Sequence, residues 1–207
     1  MDTSHADDAA LAQAEALHQA ALEAMERKEL DAAKDGFLRA LEAFSQAGDA
    51  VGQAMTRHNL GLAAQEAGDL PGARTWLESS LAVSEAEGLE GGLMVTSHQL
   101  GVVAQLAEDY ETAKAYYERA LALEDKLGNA PGEAKTTHQL GLTANLQGDF
   151  EAAKVWYARA IALFDELGDA ESAAKTKKLL DFLTDFERTG SHEGHAGPCG
   201  HQKNPAQ

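Results

Sequence analysis

The string His58-Asn59-Leu60-Gly61-Leu62 returns as His98-Gln99-Leu100-Gly101-Val102 and again as His138-Gln139-Leu140-Gly141-Leu142, 40 residues on each time. One step back lands on His18-Gln19-Ala20-Ala21-Leu22, a weaker first copy with Ala where the others carry Gly. Further columns keep the register: Gly48, Gly88, Gly128 and Gly168; Ala33, Ala73, Ala113 and Ala153; Leu30, Leu70, Tyr110 and Phe150; Leu41, Leu81, Leu121 and Ile161. A fixed period of this size marks an array of like supersecondary units, none of which buries its apolar face alone.

Each unit reads as two helices. The first helix of the third unit spans about Gly92 to Ala107, with Val95, Leu100 and Val103 supplying apolar surface. A polar break follows at Glu108-Asp109, matching Gly68-Asp69 and Gly148-Asp149, and the Asp is placed to cap the next helix. Pro71 and Pro131 stand where helices open, at positions whose missing N–H costs nothing. The glycine column from Gly48 to Gly168 supplies helix stops that take a left-handed conformation. Gly61, Gly101 and Gly141 lie inside helices at a cost of about 1 kcal/mol each against Ala, which points to backbones that approach too closely for a side chain. The organisation expected is a repeat domain over 6–189, with units 9–48, 49–88, 89–128 and 129–168 and a capping helix over 170–188. In that last helix Lys175, Lys177, Lys178, Asp181, Asp185 and Glu187 alternate with Leu179, Leu180, Leu183 and Phe186. Residues 190–207 lack apolar periodicity and read as a disordered tail.

Charge narrows the partners. The 207 residues carry 17 Lys and Arg against 34 Asp and Glu, a formal net charge of −17. Nucleic-acid binding needs clustered positive charge, and docking on an anionic membrane needs the same. Neither is expected. The single Cys excludes an internal disulfide and fits a reducing, cytoplasmic setting, and neither a signal peptide nor a membrane-spanning stretch is visible. The composition, 44% hydrophobic and 25% charged, is that of a globular chain. Every Phe, Tyr and Trp falls outside the first helix of each unit, so that helix offers no stacking platforms for bases.

The Leu-Gly pair of the first helix, the Asp-containing break and the recurring Ala of the second helix resemble the tetratricopeptide repeat family. At 40 residues the unit is longer than the standard one of about 34, and is similar to the lengthened repeats of spindle-orientation proteins and of arrays attached to bacterial signalling ATPases. The resemblance implies an all-α fold, a right-handed α-solenoid of about four antiparallel helix pairs plus a C-terminal capping helix. It implies a non-enzymatic scaffold or adaptor that binds a peptide or partner protein in a concave groove lined by the first helices. One departure stands out: positions where the family often places aromatics hold Arg57, Ser97 and Thr137, then Ala64, Ala104 and Ala144.

On that reading the groove presents His18-Gln19, His58-Asn59, His98-Gln99 and His138-Gln139, with a second amide column of Gln65, Gln105 and Asn145. Amides carry both donor and acceptor and so pair with an extended backbone. Leu62, Val102 and Leu142 would form apolar pockets between the polar rungs. A competing reading makes the His and amide columns bonds between neighbouring units. Neutral or basic partners suit the acidic surface. Four imidazoles would also gain charge together as the pH falls through neutrality. No nucleophile or paired carboxylate recurs beside the His, so no catalytic residue is expected. No cofactor is expected in the array. The tail, otherwise a flexible polar segment, orders His192, His195, Cys199 and His201 so that they could wrap one zinc, nickel or copper ion, which makes a metal-handling accessory protein the alternative to the scaffold reading.

Overall fold

The computed structural model describes residues 3–189. Among them nine helices follow one another: α1 Thr3–Glu26, α2 Leu30–Gln46, α3 Ala50–Glu66, α4 Leu70–Ala86, α5 Glu90–Leu106, α6 Tyr110–Leu127, α7 Ala130–Gln147, α8 Phe150–Glu166 and α9 Ala170–Thr189. No strand occurs among the described residues, and no helix there is long and apolar enough to cross a membrane. The chain forms two compact bodies, one ending at Asn129 and the other beginning at Ala130.

In the first body α1 pairs with α2, α3 with α4 and α5 with α6, and each hairpin packs on the next through α2–α3 and α4–α5. The cores are shared accordingly. Ala21, Ala24, Ala33 and Phe37 of the first hairpin bury against Leu60 of the second, and Ala73, Leu77 and Leu81 of the second bury against Leu100 and Val103 of the third. In the second body α8 packs between α7 and α9, with Ala144, Ala153 and Tyr157 around Leu183. This is the all-α solenoid class that the period predicts, in which neighbours complete each other's cores. The last helix is less polar outside than expected: Leu183 is buried, while Phe182 and Phe186 stack at 6.4 Å and stay 40% and 41% exposed.

The breaks are built as their residues dictate. Asp69 accepts from the Gly72 N–H at 2.9 Å, Asp149 from Ala152 at 3.0 Å and Asp109 from Thr112 at 3.3 Å, each satisfying an orphan donor of the helix it opens. The residue before each of these Asp is left-handed, at φ 80° in Gly68 and 82° in Gly148, but Glu108 holds the same conformation at φ 60° with a Cβ to accommodate. An L-residue pays about 1–2 kcal/mol there, and glycine returns part of the saving as unfolded-chain entropy. Glu108→Gly is therefore expected to stabilise the protein by about 1 kcal/mol, read as a rise of roughly 2–4 °C in the thermal midpoint.

The glycines inside the first helices have a steric cause, but what approaches them most closely is a side chain of the second helix and not its backbone. A Cβ on Gly61 would lie 2.6 Å from Leu77 Cγ, and on Gly101 or Gly141 it would lie 2.6 Å from the ring of Tyr117 or Tyr157. The second helix thus lays its largest buried side chain flat on the backbone of the first. The first hairpin solves the crossing differently. Its Ala21 meets Gly36 across the gap, where an added Cβ would stand 2.9 Å from that of Ala21. One glycine at the crossing suffices, on either helix.

Candidate functional site

The repeated His of each unit falls on α1, α3, α5 and α7, and in the first body these helices form an inner row in which α3 touches both α1 and α5. Each of three rings reaches a threonine 38 residues further on: His18 Nδ1 lies 2.9 Å from Thr56 Oγ1, His58 Nδ1 3.1 Å from Thr96 Oγ1, and His138 Nδ1 3.0 Å from Thr176 Oγ1. The proton positions follow from counting donors. Thr56 donates its only hydroxyl proton to the Gly52 carbonyl at 2.7 Å, and Thr176 donates to that of Ser172 at 2.8 Å. Each hydroxyl must then accept from its histidine, which places the ring proton on Nδ1 and a lone pair on Nε2. For His18 that lone pair receives the Asn59 amide, with Nδ2 at 3.1 Å.

These histidines are held neutral. Burial pushes the His18 and His138 imidazoles below their ordinary value and takes His58 down to about 4. Desolvation penalises the imidazolium and so opposes a gain of charge near neutrality at these three rings. Thr56, Thr96, Thr136 and Thr176 themselves form a column of buried hydroxyls at 40-residue steps, which the apolar register of the sequence does not reveal. A polar residue recurring at a core position was the available signal.

The amides bond both between units and within one. Gln99 Nε2 donates to Gln65 Oε1, and Gln105 Oε1 accepts the Tyr117 hydroxyl at 2.9 Å. Asn59, Gln65, Gln99 and Gln105 nonetheless stay half-buried, and Gln19 is exposed on α1. In the second body Gln139 and Asn145 are half-buried on α7. Leu62, Val102 and Leu142 are half-buried as well. The structure thus joins His18, Asn59 and Thr56 into one bonded group and Gln65 with Gln99 into another. His192, His195, Cys199 and His201 lie outside the described residues.

One feature of the inner row has no counterpart in the repeated strings. Between α3 and α5 a cleft of about 400 Å³ is lined by Val51, Met55, His58, Gly92, Val95 and Thr96 among others. At its rim Val51, Met55 and Val95 are 58%, 46% and 45% exposed. These three apolar side chains stand on neighbouring helices and border the same cleft.

Hairpins of about 40 residues, stacked on shared cores and fronted by a row of first helices, define a helical-repeat binding module. Two family models described as tetratricopeptide repeat match residues 53–87 and 93–166, together just over half of the chain. The chain belongs to the tetratricopeptide repeat family. No curated protein sequence matches it. Among solved structures it is similar to the apo form of RapI, with TM-score 0.81 and 18% identity over 87% of this chain and 50% of that one. It is also similar to aspartyl phosphate phosphatase F from Bacillus subtilis, with TM-score 0.77 and 15% identity over 87% of this chain and 46% of that one. A putative kinesin light chain with nearly identical TPR-like repeats, from Podosopora anserina, aligns with TM-score 0.64 and 15% identity over 87% of this chain and 99% of that one. The chain spans about half the length of the first two, and at these identities the likeness shows the fold.

Proposed function

We propose that this chain is a protein-interaction module that holds an extended segment of a partner protein along its row of first helices. The observation that carries this reading is the run of half-buried amides Asn59, Gln65, Gln99 and Gln105 down α3 and α5. Asn59, Gln65 and Gln99 keep hydrogen-bonding capacity beyond the intramolecular bond each makes, so a backbone laid across them finds both donors and acceptors. The net charge of −17 favours a basic or neutral segment and would speed its encounter, with affinity falling as salt rises. No chemistry falls to His18, His58 and His138, whose imidazoles are held toward the neutral form by burial and bonded through Nδ1 to threonine hydroxyls.

The test is selection from a random-peptide display library on the native protein and on the double variant Asn59→Ala, Gln99→Ala, both substitutions lying in the first body. The native protein is expected to enrich basic peptides, and the variant to bind the selected sequences at least tenfold more weakly with an unchanged helical circular dichroism spectrum. Equal binding by both would remove the amide row from recognition.

A further inference from the structure

One position of the second helix changes character along the array. It reads Phe44, Ser84, Glu124 and Phe164 at 40-residue steps. In the first unit the Phe44 ring sits 6.1 Å from the His18 ring, and in the fourth the Phe164 ring sits 6.5 Å from that of His138. The glycine that starts the following helix makes room for such a ring: a Cβ on Gly52 would lie 2.3 Å from Phe44 Cδ1. The second unit keeps the glycine and loses the ring. Gly92 occupies the Gly52 register, but the nearest atom to its absent Cβ is Ser84 Oγ, at 2.6 Å.

The consequence is the cleft between α3 and α5. Gly92 and His58 both line it, with Ala54 and Ser80 deeper and Val51, Met55 and Val95 at the open rim. At about 400 Å³ it lies within the range of roughly 300–1,000 Å³ typical of ligand sites. Ser84 does not use the space, since its hydroxyl is buried and has no hydrogen-bond partner. Leu77 replaces the other aromatic of the set, so the second unit lacks both rings that stand against His18 as Phe37 and Phe44.

We propose that this cleft is a slot for an aromatic side chain of the partner segment, seated where Phe44 and Phe164 sit in their own units. The array itself supplies the template: in the first and fourth units a phenyl ring stands edge-on to an imidazole, and in the first it lies over a glycine, as the cleft would have it with His58 and Gly92. The apolar rim suits one Phe-like residue, and the net charge of −17 favours Lys or Arg on either side of it. This inference rests on the peptide-binding reading for what carries the ring, but the slot can be probed without a peptide.

Benzyl alcohol serves as the probe, titrated into the full chain while the methyl resonances of Val51, Met55 and Val95 are followed by NMR. The same titration is run on Ser84→Phe, which restores the missing ring, and on Ser84→Leu, which fills the space with fewer atoms should Phe not fit. Saturable shifts in the native protein, lost in the filled variants, are expected, along with a raised thermal midpoint for Ser84→Phe. Absent shifts, or the same shifts in all three proteins, would overturn the slot. Peptides selected from the display library on the native protein should share one aromatic residue, and those selected on Ser84→Phe should not. Basic peptides without that aromatic would overturn the slot and leave the groove standing. Benzyl alcohol binding with no peptide enriched would overturn the claim that a peptide carries the ring.

Discussion

Lowering the pH from 7 to 4 is expected to remove about 3 kcal/mol of stability through His58 alone. The sign follows from which state takes the proton. His58 has a folded value near 4 against an ordinary 6.5, so above pH 6.5 both states are neutral and the contribution is whole. Between pH 6.5 and 4 the unfolded chain binds a proton that the folded chain refuses, and stability falls by about 1.4 kcal/mol per pH unit. Below 4 both states are charged and the loss levels off. His18 and His138 are lowered for the same reason and add in the same direction.

Acid also neutralises carboxylates in a chain with 34 Asp and Glu, and the relief of their repulsion acts the other way. A variant separates the two effects. His58→Asn keeps a donor to offer Thr96 but cannot titrate. Urea unfolding at pH 7.5, 6, 5 and 4 should find it less stable than the native protein at pH 7.5, with the gap closing by up to about 3 kcal/mol at pH 4. Curves that stay parallel across that range would refute a depressed His58.

The His column shows what the sequence could carry and where it stopped. The period placed His18, His58 and His138 on equivalent helices, and the helix boundaries follow from Asp caps and glycine stops that act within a few residues. Direction is a different matter. Whether an imidazole faces a partner or the next unit depends on what stands 38 residues away, and Thr56, Thr96 and Thr176 decide it by placing a hydroxyl oxygen within hydrogen-bond reach of each Nδ1. The cleft was harder still to foresee. It arises from a residue that departs from its column, Ser84, and a departure has meaning only once Phe44 and Phe164 are seen against the histidines.

Gly101→Ala should destabilise the third hairpin by roughly 1–3 kcal/mol, although alanine is the better helix former by about 1 kcal/mol. The added Cβ would meet Tyr117 Cδ1 and Cε1, both at 2.6 Å, well inside contact distance. The ring has nowhere to retreat: Tyr117 is fully buried, packs 5.5 Å from the His98 ring and is tied through its hydroxyl to Gln105 at 2.9 Å. Helices α5 and α6 would have to separate, and the contact area they share would thin along its length. That mechanism makes a sign change testable. In a Tyr117→Ala background the collision is gone and only helix propensity remains, so Gly101→Ala should become neutral or stabilising by up to about 1 kcal/mol. Chemical denaturation of the four proteins of this cycle measures the coupling directly. If Gly101→Ala costs the same with and without the Tyr117 ring, the glycine is not there for the ring. The first hairpin argues for the coupled outcome, because Ala21 is accommodated where Gly36 has taken over the close approach.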